Sequence, residues 1–172
     1  MDLKKYITSV QDFPIKGVSF KDVTTLLNNG EAFHQAIQDL ANLVKKHKPD
    51  VIVSPEARGF IFGGAVASQL KIPFVLVRKP GKLPRKAIEE KFTLEYGQTS
   101  LFMHEDAIKK GQKVLVLDDV LATGGTSIGI AKLIERLGGK VIQFTFLMNL
   151  TYLPGEQKLK DHKYAVDYVL SY

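Results

Sequence analysis

The chain of 172 residues contains no cysteine. That excludes a disulfide framework and a thiolate nucleophile, and it suits a reducing compartment. No apolar run approaches the ~20 residues that a membrane span needs. The longest uncharged stretch, Val141 to Gly155, carries Gln143, Asn149, Pro154 and two threonines. Met1-Asp2-Leu3-Lys4-Lys5 leads into no apolar segment, so no signal peptide is expected. His34, His47, His104 and His162 lack metal-ligand spacing and read as structural or surface residues. The phosphate loop Gly-x-x-x-x-Gly-Lys-Ser/Thr, the dinucleotide fingerprint Gly-x-Gly-x-x-Gly and the Gly-x-Ser-x-Gly nucleophile elbow are all missing. Internal repeats, low-complexity tracts and linkers are missing too, so a single domain over residues 1–172 is expected.

Hydrophobic content, 45%, is ordinary for a globular protein. The formal net charge of +6 has two readings, attraction for nucleic acid or for a small polyanion. One denser basic patch holds Arg78, Lys79, Lys82, Arg85, Lys86 and Lys91. No aromatic residue is interleaved there, which argues against a base-stacking platform. Charge alone leaves both readings open.

Apolar runs alternate with amphipathic segments. Glu31–His47 has helical spacing and is stopped by Pro49-Asp50. Val51–Val53 reads as a buried strand, Phe60–Leu70 as a helix, and Ile72–Val77 as the next strand. Thr93–Leu94 and Ser100–His104 read as strands of an exposed excursion. Lys113–Leu117 reads as a central strand, Ser127–Leu137 as a helix stopped by Gly138-Gly139, Lys140–Leu147 as a strand, and Tyr164–Leu170 as an edge strand. Strands alternating with helices imply an α/β fold with a mostly parallel central sheet flanked by helices. Ligands of such sheets bind at the carboxyl ends of strands. Two such ends stand out, Pro55–Gly59 and Asp118–Thr126.

The second is the most informative run in the chain. Four apolar residues, Val114–Leu117, lead into Asp118-Asp119; a short bridge follows, then Thr123-Gly124-Gly125-Thr126 and a helix. Adjacent strand residues point to opposite faces, so the two acids should diverge, and each needs a hydrogen-bond donor or a cation. Neighbouring sugar hydroxyls are such donors. The Thr-Gly-Gly-Thr turn offers the opposite chemistry: glycines that permit positive φ, converging N–H groups, two hydroxyls and a helix N-terminus. Acids for hydroxyls beside donors for a phosphate suit a ribose 5-phosphate group. The plainer alternative is an N-capping acid pair and a tight bend; the contiguous run favours the site.

This run resembles the 5-phosphoribosyl-1-pyrophosphate (PRPP) motif of type I phosphoribosyltransferases. Asp12–Asp22 (DFPIKGVSFKD), Arg58-Gly59-Phe60, Arg78–Pro84 (RKPGKLP) and Leu94-Glu95-Tyr96-Gly97 are similar to segments of the adenine-specific members of that family. The likeness covers most of the chain in order and spacing. It implies the type I fold, with a small N-terminal cap or hood over residues 1–30 and a flexible lid over 80–97.

The resemblance also implies roles. Asp118 and Asp119 would hold the ribose hydroxyls, and Ala122, Thr123, Gly124, Gly125 and Thr126 the 5′-phosphate. Arg58, in the run Glu56-Ala57-Arg58-Gly59, would meet pyrophosphate, as would Arg78, Lys79 and Lys82. A surface arginine at a helix start is the alternative for Arg58, where the helix dipole disfavours it. A solvated basic loop is the alternative for the other three, and Arg85 and Lys86 read as solvated or steering residues. Glu95 would handle a proton of the purine, with Tyr96 beside it. The backbone of Val18, Ser19, Phe20 and Lys21 would read the base, with Phe20 as an apolar wall or a core aromatic.

The implied enzyme is a purine-salvage transferase that converts adenine and PRPP to AMP and pyrophosphate. The resemblance further implies Mg²⁺ held mainly by PRPP and water, with no protein metal cage, and a cytoplasmic homodimer with neither nucleic-acid nor membrane partners. Two alternatives share the fold: a PRPP-sensing regulator, and an enzyme for another base such as hypoxanthine or xanthine.

Overall fold

The computed structural model describes residues 1–94 and 97–172. The chain divides into two compact units, Met1–Asp39 and Leu40–Tyr172.

In the first unit a 3-10 turn, Leu3–Tyr6, precedes the antiparallel pair β1 (Thr8–Gln11) and β2 (Ser19–Asp22), with Val10 opposite Phe20. The connecting turn is held by the Gly17 N–H, which donates to Asp12 Oδ1 at 2.7 Å. Phe13 meets Phe20 edge to face, ring centroids 5.1 Å apart. Asp22 Oδ1 accepts from the N–H and the hydroxyl of Thr24 (2.9 and 2.7 Å), and α1 (Thr24–Leu27) follows. The helix α2 (Gly30–His47) is capped by Asn29, whose Oδ1 accepts the Ala32 N–H at 2.9 Å, and it crosses into the second unit. Its buried stripe is Ala32, Ala36, Ile37, Leu40, Ala41 and Val44, at helical spacing.

The second unit continues through β3 (Val51–Pro55), α3 (Arg58–Leu70), β4 (Phe74–Val77), β5 (Ala87–Leu94), β6 (Gly97–His104), β7 (Lys113–Leu121), α4 (Gly125–Arg136), β8 (Lys140–Asn149), α5 (Gly155–Asp161) and β9 (Val166–Ser171). Five strands form one parallel sheet in the order β4-β3-β7-β8-β9, while β5 and β6 make a separate antiparallel hairpin. From β3 the chain steps outward to β4, then returns to the far side of β3 for β7. The boundary between β3 and β7 is therefore the switch point, where diverging connections open a crevice.

Both faces of the central strands are covered, which is why they read as continuous apolar runs. Val51, Val53, Val114, Val116, Phe144 and Phe146 cluster with Ala131 and Ile134 of α4. Leu115 and Leu117, which alternate with those valines, are also fully buried. On α3, Gly63 permits a close approach: a Cβ there would strike the Ser54 hydroxyl, itself donating to the Leu117 carbonyl at 2.6 Å.

Several boundaries differ from the sequence reading. The strand expected to stop at Leu117 runs to Leu121, because β8 extends to Asn149 and supplies ladder partners, Asp118 opposite Phe146 and Leu121 opposite Asn149. The acids thus sit within the strand. The helix expected from Ser127 begins at Gly125, and of the two turn glycines only Gly124 takes positive φ (82°). The excursion read as exposed is a hairpin of two eight-residue strands, β5 and β6. Leu101 and Met103 of that hairpin are buried, Phe92 packs on Gly129 of α4, and Glu90 pairs with Arg136 at 3.1 Å. The short helix α5 escapes the sequence reading because Leu159 is its one deeply buried large side chain, too little for a stripe. The expected edge strand is β9. There Asp167 accepts the Thr145 hydroxyl at 2.6 Å and lies 2.8 Å from His47 Nε2, at the end of α2.

Candidate active site

A cavity of about 380 Å³ opens at the switch point within the second unit. Its walls come from the end of β3 and the start of α3 (Pro55 to Gly59), the carboxyl end of β7 (Asp118 to Leu121), the turn Ala122–Gly124, and the first turn of α4 with Thr126 and Ser127. Lys79 and, from the hairpin, Phe92, Thr99 and Leu101 complete it.

Asp119 is buried, and Arg58 Nε stands 2.8 Å from its Oδ2, a close ion pair without an aligned hydrogen bond. Asp118 Oδ1 accepts the N–H of Asp119 at 2.8 Å. Burial, followed by the charge of Asp119, holds the Asp118 carboxyl well above the ordinary range. Burial also raises Asp119, and Arg58 partly offsets that. Two adjacent acids thus line the cavity, one faced by Arg58 and the other by the Asp119 N–H. Gly59 makes their seat possible: a Cβ there would lie 2.7 Å from Asp118 Oδ1 and 3.1 Å from Pro55 Cδ.

Arg58 is the first residue of α3, as the plainer alternative required. The carboxylate of Asp119 compensates the dipole misfit. Glu56, just ahead of it, accepts the Lys79 N–H at 2.8 Å and Arg78 Nε at 3.2 Å. Its carboxyl is pulled below the ordinary value, first by the Lys79 N–H. Glu56 thus ties the loop after β4 to the loop after β3. The three cations of that loop part company. Lys79 lines the cavity, Arg78 lies on Glu56 with its guanidinium 5.9 Å from the Phe60 centroid, and Lys82 is exposed. Arg85 pairs with Asp106 at 2.7 Å.

The turn supplies the opposite polarity. Ala122, Thr123, Gly124 and Thr126 line the cavity where α4 begins; Gly125 is the first residue of that helix. Val18, Ser19, Phe20 and Lys21 belong to the hairpin of the first unit. There the Lys21 ammonium donates to Ser9 Oγ at 2.8 Å, Ser19 Oγ accepts from Gln11 at 3.3 Å, and Phe20 is half-buried against Phe13. Glu95 and Tyr96 lie outside the described residues. Glu56 and Gly59 stood in the run read around Arg58 without roles of their own, and Phe92 and Ser127 were not read as site residues. The acid and glycine flanking Ala57-Arg58 were the available signal for the first two, whereas Phe92 is brought in by a hairpin with no sequence mark of its destination.

The Phosphoribosyl transferase domain family matches residues 23–171. An adenine phosphoribosyltransferase of Thermosipho melanesiensis is 56% identical over 153 residues, covering 89% of this chain and 87% of that protein. The chain belongs to the adenine phosphoribosyltransferase family. Another member, from Thermotoga sp., is 52% identical over 94% of this chain and 95% of its own length. The crystal structure of the Thermoanaerobacter pseudethanolicus member superposes with a TM-score of 0.95 at 45% identity, covering 99% of this chain and 98% of that one. The Giardia lamblia member, solved with 9-deazaadenine, gives 0.93 at 32% identity, covering 99% and 96%. The type I phosphoribosyltransferase fold read from the sequence is the fold of this chain.

Proposed function

We propose that this chain is a purine-salvage enzyme that transfers the 5-phosphoribosyl group of PRPP to adenine, releasing AMP and pyrophosphate. Family membership sets the reaction class. The observation that carries the reading onto particular residues is one cavity lined both by the paired acids and by Ala122, Thr123, Gly124 and Thr126 of the turn.

In this reading the ribose hydroxyls donate to Asp118 and Asp119, whose carboxylates regain by binding the donors that burial denies them. The N–H groups of the turn, the Thr123 and Thr126 hydroxyls and the α4 dipole receive the 5′-phosphate. Departure of pyrophosphate breaks the bond from C1 to oxygen, with charge building on the leaving oxygens. Arg58 and Lys79, which line the cavity, would balance that charge, helped by Arg78 and Lys82 of the loop that carries Lys79. Adenine N9 bonds to C1 from the opposite face and gives up its proton, a role assigned to Glu95 by resemblance, with Tyr96 next to it. Base reading falls to the backbone of Val18–Lys21. The reading keeps residues 1–172 as one functional domain, with 1–30 as cap and 80–97 as a lid that excludes water from the reacting sugar.

Mg²⁺ fits as an ion carried by substrate. Among the described residues no three metal-ligating side chains converge, and Asp119 is already faced by Arg58. Oxygens of PRPP and water would hold the ion, which supplies neutralisation of the pyrophosphate charge. Resemblance also supports a cytoplasmic homodimer, and no described helix is long and apolar enough to cross a membrane.

The test is a panel of adenine, hypoxanthine, xanthine and guanine with PRPP and Mg²⁺. AMP formation from adenine at a kcat/KM far above the others is expected. Preference for another base would overturn the base assignment; PRPP binding without turnover would overturn the enzyme.

A further inference from the structure

We propose that Gly155, at the start of α5, is a positioning residue for PRPP, acting through the Ala122–Gly124 turn. Two backbone bonds tie the end of β7 to the segment after β8. The Leu150 N–H donates to the Leu121 carbonyl, and the Gly155 N–H to the Ala122 carbonyl, both at 3.0 Å. The Ala122–Thr123 peptide is trans, so its N–H points opposite to its C=O. Drawing the Ala122 carbonyl onto Gly155 therefore turns the Thr123 N–H away from α5. A peptide that lost this bond would be free to rotate and present its carbonyl to an anion.

The contact leaves no room for a side chain. A Cβ on Gly155 would strike the Ala122 carbonyl oxygen and lie 2.9 Å from Leu121 Cδ1. A Cβ on Gly124, already at φ 82°, would lie 3.2 Å from Gly155 Cα. Two glycines thus meet back to back, one in the turn and one behind it. A clamp holds the second in place: fully buried Asn149, at the end of β8, donates from Nδ2 to Glu156 Oε2 at 2.6 Å. Lys160 holds the other oxygen of Glu156 at 2.7 Å.

This inference rests on the reading of Ala122–Thr126 as the 5′-phosphate loop, and the experiment separates the two. Ribose 5-phosphate binding by calorimetry is measured alongside KM for PRPP and for adenine. Gly155→Ala is expected to weaken ribose 5-phosphate and raise the PRPP KM about tenfold or more, with the adenine KM unmoved. Gly139→Ala is the structural control. Its Cβ would lie 2.6 Å from Ile108 and 2.9 Å from Ile134, so it should lower thermal stability with neither constant changed. Wild-type ribose 5-phosphate binding in folded Gly155→Ala, while Thr126→Ala binds weakly, overturns the role of Gly155 alone. Wild-type binding in both variants overturns the phosphate-loop reading and this inference with it. Should Gly155→Ala not fold, Glu156→Ala decides. A weakening of about threefold or more, confined to PRPP and ribose 5-phosphate, supports the proposal, and unchanged binding overturns it.

Discussion

Replacing Arg58 by glutamine should destabilise the protein in a pH-dependent way. The Asp119 side chain is 5% exposed and that of Arg58 36%, with 2.8 Å between Nε and Oδ2. Breaking a fully buried pair costs about 3–5 kcal/mol, whereas an exposed pair contributes about 0–1 kcal/mol. Solvent reaches the guanidinium but hardly the carboxylate, so the loss should be about 2 kcal/mol after that screening. For a chain of this size it lowers Tm by about 4–8 °C. The sign with pH follows from Asp119. Burial raises its carboxyl above the ordinary value of 3.8, and Arg58 works against that rise. Without Arg58 it rises further, so the folded variant binds its proton at higher pH than the wild type. Once Asp119 is protonated in both proteins, Arg58 no longer has a charge to balance. Scanning calorimetry at pH 8 and again near the ordinary carboxylate range should show the gap in Tm closing as pH falls. An equal gap at both pH values would refute the reasoning, because the penalty would then come from lost packing.

Three further substitutions probe the surroundings of that pair. Asp118→Asn removes an acid whose raised pKa costs stability as pH climbs above 3.8, so Tm at pH 8 should rise by about 2–4 °C while turnover of PRPP falls about 100-fold. Unchanged turnover would sink the ribose assignment. Glu56, with its depressed pKa, stabilises its loop above the ordinary value of 4.5, and that contribution is lost as pH falls through the folded value. Steady-state kinetics should place Glu56→Gln, which keeps an acceptor for the Lys79 N–H, between wild type and Glu56→Ala in PRPP KM. Gly129→Val would drive a side chain into Phe92, whose Cδ1 lies 3.0 Å from even a bare Cβ. Hydrogen exchange should speed up at β5 amides and stay slow at β7.

The parts of the fold that the sequence made legible are those with a one-dimensional mark. Val114–Leu117 reads as a strand because apolar residues crowd a segment buried on both faces, and α2 reads as a helix because its stripe recurs at helical spacing. Asp118 and Asp119 are legible because acids are conspicuous after such a run. What the sequence concealed depends on partners far along the chain. The extension of β7 to Leu121 needs β8, and the hairpin's docking needs Gly129 and Arg136. Gly155 resembles any glycine at a turn until the Ala122 carbonyl is seen against it. Arg58 was singled out as a pyrophosphate cation, and its proximity to Asp119 could not be read across the sixty intervening positions.

The edge strand β9 has a consequence for synthesis. Emerging from the ribosome after the other described strands, it brings the Asp167 carboxylate that joins Thr145 to His47, and beyond it the Tyr172 N–H reaches the Asn149 carbonyl at 2.9 Å. Asn149 in turn holds Glu156 behind the Ala122–Gly124 turn. A nascent chain that has made β8 but not β9 therefore exposes a strand rich in buried aromatics, with His47 still waiting for its counterpart about 120 residues downstream. Until that strand docks, β8 is itself an unpaired sheet edge, the kind of surface on which chains aggregate.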